Sequence, residues 1–280
     1  MRRALTSVFQ QSCQDFEIIV VDNSSNDHTD DILENITDKR LKSIKVNNRG
    51  IIGLSRNKGI SLAKGNWIAF LDSDDIWKSD KLDEVANTIT ENPGVVLVCH
   101  DEWHVHKGEI KNCLEHGPNG DDIYNSLLFK GNCLSTSAVC LRRDIAIESG
   151  GFSERKEFVT VEDYEYWIRL SQLGEFYFIN TVLGEWHTHD HNNSNNTITH
   201  AKANIAVLEY HFNLWFEKFP EIEKRFKYGL SLANTRTGRI LQKGHEFSRA
   251  TAYAKKAIYL NPFYWKAWVL LLLSLIRTSI

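Results

Sequence analysis

Residues 70–77 read Phe-Leu-Asp-Ser-Asp-Asp-Ile-Trp, with three carboxylates in four positions at the end of an apolar run that starts at Trp67. Carboxylates this close repel, and their pKa values rise unless a cation neutralises them. A hard divalent cation such as Mn2+ or Mg2+ favours oxygen ligands. It often takes only one or two carboxylates, with phosphates and water completing its shell. Asp72-Ser73-Asp74 at a strand's end therefore suits a metal–diphosphate site. The plainer alternative is a solvated turn with an aspartate capping the next helix. Asp22 ends a second apolar run, residues 16–21, and leads into Asn23 and a polar loop. Glu162-Asp163 forms a third acidic pair.

These acids need elements to position them. Residues 3–11 show helical spacing in Leu5, Val8 and Phe9. Residues 16–21 and 41–46 read as strands and 29–36 as a helix. A helix over 53–64 stops at Gly65, and a strand follows over 67–71. A helix over 81–90 and an apolar strand over 94–99 come next. Alternating strands and helices predict an α/β fold with a mostly parallel sheet flanked by helices. Ligands in such sheets bind beyond the carboxyl ends of the strands, where Asp22 and the 72–75 acids both fall. Residues 100–135 read as irregular. A strand is expected over 136–141, a helix over 161–173, strands over 176–179 and 182–187, and a loop over 191–196. From about residue 200 the pattern turns helical, and 244–273 reads as a helix–turn–helix. This divides the chain into residues 1–199, with halves of about 1–99 and 100–199, and a helical extension over 200–280.

The run GLSRNKGISLAKGNWIAFLDSDDIW (53–77) closely resembles the nucleotide-sugar motif of family 2 glycosyltransferases, which have the Rossmann-like GT-A fold. FEIIVVDNSSNDHT (16–29) resembles the same family's uracil strand and loop. EDYEYWIR (162–169), after SGGF (149–152), resembles its acceptor-side motif. Three motifs in the family's order cover roughly residues 3–195. The resemblance implies an inverting transferase that moves a sugar from a UDP-sugar to a hydroxyl of a cell-surface glycan or lipid-linked acceptor, with Mn2+ or Mg2+. It implies that Asp22, with Asn23, binds the base, Arg56 the diphosphate, and Asp72 the ribose and sugar side. Asp74 would ligate the metal, and Asp163, beside Glu162, would be the catalytic base. Asp75 and Trp77 would face the sugar or acceptor. In the family a histidine after this helix approaches the metal, and the pattern picks His189.

Each reading has a plainer rival. Thr160-Val-Glu-Asp163 also fits a capping box. Arg56 could be a helix-surface arginine and Trp77 a core aromatic. His187, His189 and His191 alternate, so on a strand they share a face. His100-Asp-Glu-Trp-His-Val-His106 looks metal-like by composition but reads as surface. The family normally opens with a short apolar strand, and here Met1 already sits inside the first helix. The resemblance therefore leaves room for a catalytically impaired nucleotide-sugar-binding protein. Without Gln-x-x-Arg-Trp, single additions are expected rather than polymer synthesis. A sugar nucleotidyltransferase would need a Gly-rich phosphate loop near the start, and none is present.

The 280 residues carry a net charge of −3 and no basic block, which gives no case for nucleic acid. Five scattered cysteines form no CxxC pair and fit a reduced, cytoplasmic protein. The apolar run 267–276 is too short for a spanning helix, which needs about 20 residues. It reads as a buried terminal helix or as one lying on the inner face of a membrane, flanked by aromatic and basic residues.

Overall fold

The computed structural model describes residues 1–117, 122–189, 197–216 and 222–278. Its first half alternates helix and strand: α1 (Arg2–Phe9), β1 (Ile18–Asp22), α2 (Thr29–Glu34), β2 (Leu41–Lys45), α3 (Ile52–Leu62), β3 (Trp67–Ala69), β4 (Ile76–Trp77) and α4 (Lys81–Glu91). β5 (Val95–His106), β6 (Glu109–Leu114), α5 (Ile123–Lys130), β7 (Val139–Arg142), α6 (Arg143–Glu148), α7 (Glu162–Leu170) and β8 (Glu175–Thr188) follow. The rest is helical: α8 (Thr197–Phe216), α9 (Glu223–Lys243), α10 (Phe247–Leu260) and α11 (Trp265–Thr278). The loop expected over 191–196 lies outside the described residues.

The fold is α/β, as expected, but its sheet is mixed rather than mostly parallel. Strands run in the order β3-β7-β5-β8-β4, and β6 pairs with β5. Only β5 and β8 are parallel in this sheet; the pairs β3–β7, β5–β7, β4–β8 and β5–β6 are antiparallel. A separate parallel pair, β1 and β2, matches Ile18 to Leu41 and Asp22 to Lys45.

The segment read as irregular explains much of the difference. β5 continues through His106 and turns back as β6. Lys107 and Gly108, at φ 52° and 84°, form the two-residue turn between them. Positive φ at both central residues suits the right-handed twist of an antiparallel hairpin. β5 is the spine of the sheet, with Leu97, Val98 and Cys99 fully buried. His100, Asp101 and Glu102 are buried too, which corrects their reading as surface residues. The two strands expected over 176–187 are one strand, β8, with register shifts against β5.

The chain divides into two compact units. The first comprises Met1–Leu127, Asn132–Glu154 and Glu162–Asp190; the second comprises Leu128–Gly131, Arg155–Val161 and His191–Ile280. Leu5, Val8, Ile18, Leu33 and Trp77 form one core cluster of the first unit. In the second, α9 buries Phe226, Leu230 and Leu241, and α10 buries Ala250, Ala254 and Ala257. All five cysteines are free thiols.

Candidate active site

Arg56 is the centre of the site. It sits on α3, and α3 is fixed by a close approach. A Cβ added at Gly53 would lie 2.7 Å from the Ser153 carbonyl oxygen. One turn on, Asn57 grips the same loop: its Nδ2 donates to the Phe152 carbonyl and its Oδ1 accepts from the Phe152 N–H, at 2.9 and 2.7 Å. Gly151, at φ +73°, lets the loop pass against Asn57, whose Oδ1 would lie 2.3 Å from an added Cβ. The SGGF stretch is thus a socket for α3.

From there the Arg56 guanidinium donates to Glu162 Oε1 at 2.8 Å and to both Asp72 oxygens at 3.1 and 3.3 Å. Burial alone would lower the Arg56 pKa. The charges of Asp72, Glu162 and Asp163 outweigh it and hold the guanidinium charged. Glu162 is held above the usual carboxylate range, first by burial and then by the charge of Asp163, with Arg56 opposing both. Glu162 was expected to share the catalytic role. Its side chain is 5% exposed and tied to Arg56.

Asp163 stands at the second position of α7. Its Oδ1 accepts from the Tyr164 N–H at 2.7 Å, and its Oδ2 accepts from Thr136 Oγ1 at 3.3 Å. A capping box would need it one position later, and Thr160 sits in left-handed backbone at φ 81° before the helix begins.

The acidic loop splits into two roles. Asp72 is about half exposed, and its N–H donates to Ser137 Oγ at 3.0 Å. Asp74 is 36% exposed, and its Oδ2 lies 3.4 Å from His189 Nε2. Asp75 and Trp77 turn inward, which corrects their expected place in a sugar or acceptor pocket. Asp75 is 2% exposed; it accepts from Ser137 Oγ at 2.5 Å and from the His187 N–H at 2.8 Å. Burial pushes its pKa up to about 8. Trp77 donates from Nε1 to the Ser137 carbonyl at 2.8 Å and carries the Lys81 ammonium 3.3 Å above its ring. A strand-end aromatic bonded on both sides is framework.

Asp22 and Asn23 sit at the end of β1. Both Asp22 oxygens accept from the Ser25 N–H, at 3.1 and 3.3 Å, and Asn23 Oδ1 accepts from the Asn48 N–H at 2.8 Å. His187 lies on β8 with its Nε2 2.8 Å from Glu185 Oε2. His191 lies outside the described residues.

Sequence reasoning missed Thr136 and Ser137. This short turn before β7 touches Asp163, Asp72, Asp75 and Trp77. The signal was there: three consecutive hydroxyls, Ser135-Thr-Ser137, ahead of an apolar strand.

A comparison against known families agrees with the resemblance. The profile of Glycosyl transferase family 2 matches residues 1–150. The chain belongs to this family. Among curated relatives, the putative teichuronic acid biosynthesis glycosyltransferase TuaG of Bacillus subtilis is 29% identical over 76% of this chain and 83% of its own. The Escherichia coli UDP-Glc:alpha-D-GlcNAc-diphosphoundecaprenol beta-1,3-glucosyltransferase WfaP is 30% identical over 60% of this chain and 63% of its own. The crystal structure of Staphylococcus aureus TarS 1-349 in complex with UDP-GlcNAc superposes with a TM-score of 0.62. It shares 17% identity over 99% of this chain and 86% of that one, a likeness of fold. This family 2 protein is a nucleotide-sugar-dependent glycosyltransferase of GT-A fold.

The double pairing of Arg56 sets an expectation. Arg56→Ala leaves Glu162 buried without its cation. Breaking a buried ion pair from one side costs about 3–5 kcal/mol, and the exposed Asp72 arm adds little. The folded state is expected to lose roughly 3 kcal/mol by urea denaturation. Unchanged stability would show that Glu162 does not depend on Arg56.

Proposed function

We propose that this glycosyltransferase moves a sugar from a UDP-sugar to a hydroxyl of a cell-surface glycan or lipid-linked saccharide, inverting the anomeric centre, with Mn2+ or Mg2+ bound. The observation that carries the reading is Arg56, one charged group joining the acidic loop to the Glu162-Asp163 pair. A diphosphate over the loop and a hydroxyl at Asp163 would meet across it. The activity in the name of its relative WfaP supports a UDP-sugar donor and a lipid-linked acceptor.

Asp74 and His189 fit a divalent cation. Two donors of carboxylate and imidazole type lie 3.4 Å apart and open to solvent. Among the described residues no cluster of three such ligands exists, so a diphosphate and water would complete the shell. When bound, the metal would neutralise charge on the diphosphate.

The protein's own residues do the rest. Asp163 takes the proton from the acceptor hydroxyl as the oxygen attacks the sugar's anomeric carbon. The bond to the diphosphate breaks, and UDP leaves with the electron pair. Arg56 stabilises the charge that develops there. Glu162 positions Arg56. Asp22 and Asn23 line the base, and Asp72 the ribose and sugar side. Attack opposite the leaving group inverts the centre.

A second reading is nucleotide-sugar binding without turnover. It is favoured by the division of the sheet, because Asp22 ends, and Asn23 follows, a strand pair separate from the strands that lead to the other acids. Turnover at saturating UDP-sugar separates the two readings.

The test is calorimetric titration of UDP with Mn2+ and with EDTA, on the parent chain and on Asp74→Ala. Binding is expected to need the metal and to weaken about tenfold or more in the variant. Equal affinity in EDTA would remove the metal from the reading.

A further inference from the structure

The charge of this chain is unevenly placed. Residues 247–280 hold no acid and five bases, Arg249, Lys255, Lys256, Lys266 and Arg277. They carry +5 of a total of −3, so −8 falls on residues 1–246. This cationic segment is α10, α11 and the turn between them.

α11 packs Ala267, Leu270 and Ser274 inward. Its opposite face exposes Trp265, Trp268, Leu272 and Ile276, the first, third and fourth at 64%, 58% and 60%. Helical spacing aligns these residues in one stripe along the helix. The preceding turn adds Phe263, 93% exposed. A contiguous exposed apolar face of this kind marks an interaction site.

Two features choose the occupant. Large aromatics at one end of an aliphatic stripe, with Lys and Arg beside it, match a helix lying in a bilayer interface. Arg249 pairs with Glu246 and Lys256 with Glu209, which leaves Lys255, Lys266 and Arg277 to set the charge beside this face; a second copy would set these cations against their like. An anionic lipid surface attracts the same charge. α11 has 14 residues, about 21 Å at 1.5 Å per residue, which is short of a hydrocarbon core of about 30 Å. No helix among the described residues is long and apolar enough to cross a membrane.

We propose that α11 and the turn before it dock on an anionic lipid bilayer. Phe263, Trp265, Trp268, Leu272 and Ile276 seat at the boundary of headgroups and acyl chains, while Lys255, Lys266 and Arg277 face the headgroups. This docking stands on the helical unit alone and does not depend on the catalytic reading.

The experiment is flotation of the full chain with vesicles of phosphatidylglycerol and phosphatidylethanolamine, and with vesicles of phosphatidylcholine. The parent chain is expected to float with the anionic vesicles and to release as salt screens the cations. A double variant, Leu272→Glu with Ile276→Glu, is expected to bind roughly tenfold or more weakly while its circular dichroism and UDP affinity stay those of the parent. A second measurement covers a variant that fails to fold. Brominated acyl chains should quench the tryptophan fluorescence of the parent chain, and less so after Trp265→Phe with Trp268→Phe. The proposal is overturned by a folded parent chain that does not float, or by equal flotation with phosphatidylcholine. It is also overturned by undiminished binding of the folded double variant, or by a dimer of the parent chain that Leu272→Glu dissolves.

Discussion

Asp163→Asn is expected to lower kcat by about 100- to 10,000-fold, the usual contribution of a positioned base, while UDP affinity and stability stay close to those of the parent. The substitution is nearly isosteric. The amide oxygen can still accept from the Tyr164 N–H, and Thr136 Oγ1 keeps a partner. An amide serves a helix start about as well as a carboxylate. It cannot take a proton from an acceptor hydroxyl. The two roles of this residue, base and helix start, therefore separate in one variant. Single-turnover rates with saturating UDP-sugar, beside thermal melts, check it. An unchanged rate would assign Asp163 to the helix start and place the base elsewhere. Glu162→Gln is a useful contrast, because Glu162 acts through Arg56: it should disturb donor affinity more than the pH dependence of the rate.

What the sequence showed and hid follows from the range of the interactions. Most helices and strands of residues 2–91 were legible because local period and punctuation specify them; α1, α2, β2, α3 and α4 all lie where spacing puts them, while the two-residue β4 was not expected. The acids were legible as chemistry, since like charges at a strand's end need a reason. Which of them faces solvent was not. Asp74 and Asp75 are neighbours, yet one meets His189 and the other is buried against Ser137 and His187. That choice is made by residues 60 and more positions away. Strand direction was hidden for the same reason: β5 pairs with three strands that all follow it, two of them more than 30 residues on, and only the Lys107-Gly108 turn gave a local sign of an antiparallel neighbour. Arg56 was found as a cation but not as a bridge, because its partner Glu162 lies 106 residues away.

Asp75→Asn should remove a pH dependence of stability. In the folded state its pKa is about 8, chiefly through burial; unfolded, an aspartate titrates near 4. Between those values the native protein keeps a proton that the unfolded chain releases. Stability must therefore fall as pH rises from about 4 to about 8, and level off beyond. At about 1.4 kcal/mol for each tenfold change in proton activity, the loss is on the order of 5 kcal/mol at most. Asparagine fits the same place without a proton to lose. Its oxygen can accept from the His187 N–H, and its amide can donate to Ser137 Oγ, so the contacts joining the acidic loop, the 136–137 turn and β8 survive. Parent and variant should match near pH 4, and the variant should be the more stable near pH 8. Urea denaturation in EDTA at both pH values checks it, the chelator keeping any cation off the neighbouring Asp74. Parallel stability curves would mean that Asp75 is ionised in the fold and that its buried charge is compensated. A difference that opens with pH would show a carboxyl kept neutral at the centre of an acidic loop, which leaves Asp72 and Asp74 as the loop's solvent-facing acids.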